Sequence, residues 1–137
     1  VALPKPEAKV PYVSTEDIAE VVVKSLTEDH GGQLYELTGP ELLTFKEVIS
    51  KIDEASGRNI AFTPISLSAY VAMLEEHQVP KDYIWLINYL FTEVLGTAGN
   101  DVVTHDIEKV LNRPATSFDQ YVKNTVKTGV WNPEVTV

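Results

Sequence analysis

The segment Gln33-Leu34-Tyr35-Glu36-Leu37-Thr38 alternates apolar and polar side chains at period two and stops at Gly39-Pro40, the pattern of a strand with one inner face. Soon after it, Leu43-Thr44-Phe45-Lys46-Glu47 places Thr44 and Glu47 at capping-box spacing. Phe45, Val48, Ile49, Ile52 and Ala55 then form the apolar stripe of a helix, and Gly57 stands where a left-handed C-cap belongs. Working outward, residues 9–13 and 60–65 suggest further short strands. Ser14 offers an N-cap with Asp17 three positions beyond it, opening a helix at about Thr15. Ile18, Ala19, Val22, Val23 and Leu26 keep helical spacing until His30-Gly31-Gly32 breaks it. Strands alternating with helices at these separations call for parallel pairing through crossover helices, so residues 10–13 are expected to lie parallel beside residues 60–64.

From Ser66 onward the pattern is helical. Leu67, Tyr70, Val71 and Leu74 form one stripe, and Pro80 suits the first turn of a helix carrying Ile84, Trp85, Leu86, Ile87, Tyr89, Leu90, Phe91, Val94 and Leu95. That helix is apolar on almost every side, so at least one of its faces should meet something beyond a small domain's own core, either a further part of a longer protein or a partner chain. Gly96 to Gly99 closes it, a short helix follows around Ile107, Val110 and Leu111, and Ser117 with Gln120 opens a last helix bearing Phe118, Tyr121 and Val122. The expected organisation is one α/β domain over residues 1–137. A strand–helix alternating part covers 1–65 and a helical cap covers 66–137, with two to three short parallel strands in all.

The chain has 137 residues, 44% of them apolar and 23% charged, enough for one globular core. Its 20 acidic against 11 basic residues give a formal charge of −9, and no basic run exceeds a pair. Counterion release therefore cannot draw it to phosphate backbones, and direct binding to nucleic acid or to an anionic membrane is not expected. The absence of cysteine excludes disulfides, thiol catalysis and thiolate metal sites. The opening residues contain two prolines, no initiator Met and no long apolar run. They suggest a cytoplasmic protein, and a chain that is a piece of a longer one.

Three passages carry a family resemblance. Val10-Pro11-Tyr12-Val13-Ser14-Thr15-Glu16-Asp17-Ile18-Ala19-Glu20 resembles a short strand followed by an "aspartate, aliphatic, alanine" helix opening. Gly32-Gln33-Leu34-Tyr35-Glu36-Leu37-Thr38-Gly39-Pro40 with Leu43-Thr44-Phe45 is similar to a last sheet strand and helix entry. Asp106-Ile107-Glu108-Lys109-Val110-Leu111-Asn112-Arg113-Pro114-Ala115-Thr116-Ser117-Phe118 resembles a closing "Gly/Asn-Arg-Pro, then Thr/Ser-Phe" turn and helix. In this order they resemble the second half of an NmrA-like protein of the atypical or extended short-chain dehydrogenase/reductase group.

The resemblance implies a carboxy-terminal, substrate-side lobe whose amino-terminal Rossmann half is missing from this chain. That half would hold NADP or NAD on a glycine-rich strand-to-helix turn. Gly96 and Gly99 follow an apolar helix instead, and suit loop closure better. No cofactor is expected on this chain alone. The Tyr-x-x-x-Lys pair of typical members is absent, as it often is in the NmrA-like branch. No catalytic or cofactor-binding residue is assigned.

The candidate substrate-pocket residues are Tyr12, Trp85, Tyr89 and His105. Trp85 and Tyr89, with Phe91, suit a flat hydrophobic pocket for a quinone or another aromatic substrate, although an aromatic stripe at this spacing also suits a core. His105 beside Asp106 could act as a general acid or orient a substrate, or be an exposed helix-start pair. Asp17 suits helix capping; the resemblance alternatively places it with Tyr12 at a hinge beside the nicotinamide. His30, His77 and His105 lack metal-ligand spacing, so no metal site is expected.

Two functional classes follow. One is the substrate-side lobe of an NAD(P)H-dependent reductase of quinones or other small electrophiles, inactive alone. The other is a non-catalytic redox or ligand sensor, or an interaction module. A homo-oligomer is expected in either case, with Trp85 or Phe91 and the Leu34 strand at its interface.

Overall fold

The computed structural model describes residues 1–132. It is a mixed α/β structure in two compact units that interleave along the chain, residues 1–10 with 43–101 and residues 11–42 with 102–137. The position 65/66, where the sequence changes character, falls inside the first of these.

In the first unit β1 (Ala2–Leu3) pairs parallel with β4 (Thr63–Pro64), Ala2 opposite Thr63 and Leu3 opposite Pro64. β2 (Lys9–Val10) pairs antiparallel with β3 (Leu43–Thr44). The expected parallel pairing of 10–13 with 60–64 is therefore not formed. The place beside residues 60–64 is taken by the chain's first residues: the Thr63 amide donates to the Val1 carbonyl at 2.9 Å and the Ile65 amide to the Leu3 carbonyl at 3.2 Å. Val10 spends its ladder on Leu43. Two short parallel strands are present, as expected, but they are β1 and β4; the other pair is antiparallel, and each strand is two residues long.

The helices begin where their caps stand. α2 (Phe45–Ser56) opens on the full Thr44–Glu47 capping box and ends at Gly57 with φ 65°. Ser66 caps α3 (Leu67–Glu76). α4 (Lys81–Tyr89) runs into a π-turn over Leu90–Val94, sealed by the Leu95 amide donating to the Leu90 carbonyl at 2.8 Å. Of the long apolar helix only Phe91 is buried, its ring 6.0 Å from Phe45 and 5.7 Å from Tyr70. Tyr83, Trp85, Leu86 and Tyr89 face outward.

The second unit holds α1 (Thr15–Thr27), α5 (Asp106–Leu111) and α6 (Phe118–Lys127). Val21, Ile107 and Val110 make its centre, with Tyr35 and Leu37 packed against them. Residues 33–38 run as irregular chain, so the expected strand is also corrected. Its polar backbone groups find other partners. The Glu36 amide donates to Asp106 Oδ2 at 2.9 Å, the Thr104 hydroxyl donates to the Glu36 carbonyl, and Thr38 Oγ1 accepts from the Thr104 amide at 2.9 Å. Period two survives only as burial, with Tyr35 and Leu37 inward and Leu34 86% exposed. No helix among the described residues is long and apolar enough to cross a membrane.

Candidate functional site

Two helix starts meet in the second unit. Ser14 caps α1 by accepting from the Glu16 amide, and Ser117 caps α6 by accepting from the Gln120 amide at 3.2 Å. The reciprocal half of that second box is not made: the Gln120 side chain donates to Asn124, and the Phe118 amide is satisfied by Glu41 Oε1 at 3.1 Å.

Asp17 joins the two starts. Its carboxylate leaves the capping role expected of it and lies buried, at 1% exposure, accepting from the Thr116 amide at 2.7 Å, the Thr116 hydroxyl at 2.8 Å and Arg113 Nη2 at 2.8 Å. Arg113 also pairs with Glu20 at 2.8 Å. Burial by itself raises the Asp17 pKa. The Thr116 amide, the Arg113 guanidinium and the Thr116 hydroxyl together outweigh it and hold the carboxyl below its ordinary value. Asn112, left-handed at φ 53°, ends α5 immediately before Arg113.

Beside this anchor lies a cavity of about 220 Å³, lined by residues 12–15 and by Thr116, Ser117, Phe118 and Tyr121. Its aromatic members are in contact, Tyr12 with Phe118 at 5.8 Å between ring centres and Phe118 with Tyr121 at 5.6 Å. The Tyr12 hydroxyl is buried and has no hydrogen-bond partner. Burial pushes its pKa up to about 12, so the group stays protonated and keeps a donor free. A buried donor left unsatisfied costs about 1–3 kcal/mol.

The other sequence candidates lie elsewhere. Trp85 and Tyr89 are in the first unit, stacked on each other at 5.7 Å with 12° between planes, and both are exposed. His105 is in the second unit at the start of α5, its side chain 76% exposed and 3.8 Å from Glu108. Phe118, Tyr121 and Thr116 were not among the candidates. Thr116 and Phe118 belong to the Arg-Pro-Ala-Thr-Ser-Phe run, which stood out only as a family feature, and Tyr121 to the apolar residues of the last helix.

Among the described residues no strand feeds a glycine-rich turn that opens a helix. Gly96 and Gly99, at φ 78° and 95°, follow the π-turn.

The chain is 30% identical over 125 residues to an NAD(P)H azoreductase of Xenophilus azovorans, a match covering 88% of the chain and 42% of that protein. The chain is thus similar to part of an NAD(P)H-dependent oxidoreductase, in keeping with the NmrA-like resemblance of its motifs. An oxidoreductase of Bacillus subtilis is 29% identical over 116 residues, covering 84% of the chain and 40% of that protein. The fold matches that of a Citrobacter triphenylmethane reductase with a TM-score of 0.73 at 22% identity, over 92% of the chain and 44% of that structure. An NADPH-dependent quinone oxidoreductase of Escherichia coli gives a TM-score of 0.72 at 16% identity, over 91% and 46%. No protein-family model matches. The chain spans about two-fifths of the length of these curated relatives.

Proposed function

We propose that this chain is the acceptor-binding lobe of an NAD(P)H-dependent reductase, and that the cavity beside Tyr12 receives a small aromatic electrophile such as a quinone or an azo compound. Two observations carry the reading: Tyr12 lines the aromatic-walled cavity, and its hydroxyl is a protonated donor buried without a partner. An acceptor oxygen or nitrogen on a flat ligand would satisfy it, while Phe118 and Tyr121 offer ring surface for stacking. A donor held in place where negative charge develops on the acceptor would also favour its reduction. The relatives supply the reaction class. NADP or NAD is assigned to a Rossmann half in a longer protein, in keeping with the greater length of those relatives.

Nuclear magnetic resonance with isotope-labelled tyrosine tests the binding step. On titration with 1,4-naphthoquinone, Tyr12 and Tyr121 should shift saturably while Tyr83, on α4, stays still. The chain has no cysteine for a quinone to alkylate, so shifts report binding. Uniform, non-saturating shifts, or shifts confined to α4, would reject the cavity as the site.

A further inference from the structure

Along α4 and the π-turn, Lys81, Trp85, Tyr89 and Glu93 stand four residues apart, and all four are exposed. An α-helix advances about 100° per residue, so each four-residue step overshoots a full turn by about 40° and a long row drifts off its face. The π-turn spends about one more residue per turn. Its step from Tyr89 to Glu93 therefore undershoots, and brings Glu93 back towards the line of the other three. The result is one ridge with a cation at its amino end, an anion at its carboxyl end and two aromatic rings between.

We propose that this ridge is the interface of a twofold dimer, in which α4 packs antiparallel against α4 of a second copy. Antiparallel pairing sets Lys81 against the partner's Glu93 at both ends and Trp85 against the partner's Tyr89 in the middle, the self-complementarity a twofold contact requires. Parallel pairing would set lysine on lysine and glutamate on glutamate. Neither Lys81 nor Glu93 has an ion-pair partner among the described residues, so both are available. The apolar area is there to be covered: Trp85 is 67% exposed and Leu86 44%. Trp85 and Tyr89 are already stacked, so docking immobilises little that is not already ordered. A crossing of about 50° is the one that lays two rows of i, i+4 side chains alongside each other. Each chain carries a formal charge of −9, so association opposes a general repulsion and depends on these local pairs.

Charge reversal tests it by sedimentation equilibrium of the 137-residue chain over micromolar to millimolar concentration. The native chain should pass from one chain mass to two. Lys81→Glu or Glu93→Lys should each weaken the dimer at least about tenfold, because each puts like charges together at both ends. The double variant should bring the dimer back to within about threefold of the native strength, since its pairs are merely exchanged. Trp85→Ala should abolish it in every background. A native chain monomeric throughout overturns the proposal, as does a dimer indifferent to either single reversal or one the double reversal fails to restore.

Discussion

Gly39 lies against the backbone of Tyr12: a Cβ placed on it would stand 2.7 Å from the Tyr12 carbonyl carbon and overlap the carbonyl oxygen. The Gly39 amide donates to the neighbouring Pro11 carbonyl at 3.1 Å, so the two stretches of main chain are held together where no side chain fits. The close approach is to backbone, which cannot swing aside as a side chain would.

Gly39→Ala should therefore cost stability by about 1–3 kcal/mol through the shift it forces. It should also displace Tyr12 and weaken naphthoquinone binding. Urea denaturation reads the first effect and ligand titration the second. A variant with native stability would show that the contact yields easily.

Asp17→Asn should lose about 2–3 kcal/mol at neutral pH, because the buried carboxylate holds three donors while the Arg113 partner is partly screened by solvent. The folded-state pKa of Asp17 lies below the unfolded value of about 3.9. Its contribution is thus present in full above that unfolded value and is lost as pH falls through the folded-state pKa. The gap between native chain and variant should be constant from neutral pH down to about 5 and close below about 4. A gap that widens with acid would contradict the assignment.

Ile107→Ala and Leu34→Ala should differ sharply although both remove an aliphatic side chain. Ile107 is 2% exposed in the centre of the second unit, and its truncation should cost about 2–5 kcal/mol. Leu34 is 86% exposed, and its loss should stay within about 0.5 kcal/mol. An equal cost would mean that residues 33–38 carry a sheet contact after all. Thermal denaturation of the two variants decides it.

The helix starts were legible because capping is local: Ser14, Thr44 with Glu47, and Ser117 announce their helices within a few residues, and Gly57 its helix end. The strand pairing was not. Each strand is two residues long, too short for any periodicity, and the partner of Thr63 is the chain's own opening, some sixty positions away. In residues 33–38 the alternation did report which side chains face inward, Tyr35 and Leu37, but period two carries no information on whether a ladder forms beside them. Asp17 looked like a cap because capping is the common use of a carboxylate in a first turn. Its partners Arg113 and Thr116 lie 96 and 99 positions on, and no local pattern points to them. Tyr12 was singled out by family position; its free hydroxyl became visible only with the packing around it.

Tyr12→Phe, measured for stability and for naphthoquinone affinity in the same preparation, tests the role of the hydroxyl most directly. If the hydroxyl is a buried donor waiting for a ligand, removing it relieves an unsatisfied group. The variant should then be as stable as the native chain or up to about 2 kcal/mol more stable, while the ligand binds about tenfold more weakly. A variant that loses stability and binds the quinone unchanged would contradict the account, because the hydroxyl would then serve the fold and not the ligand.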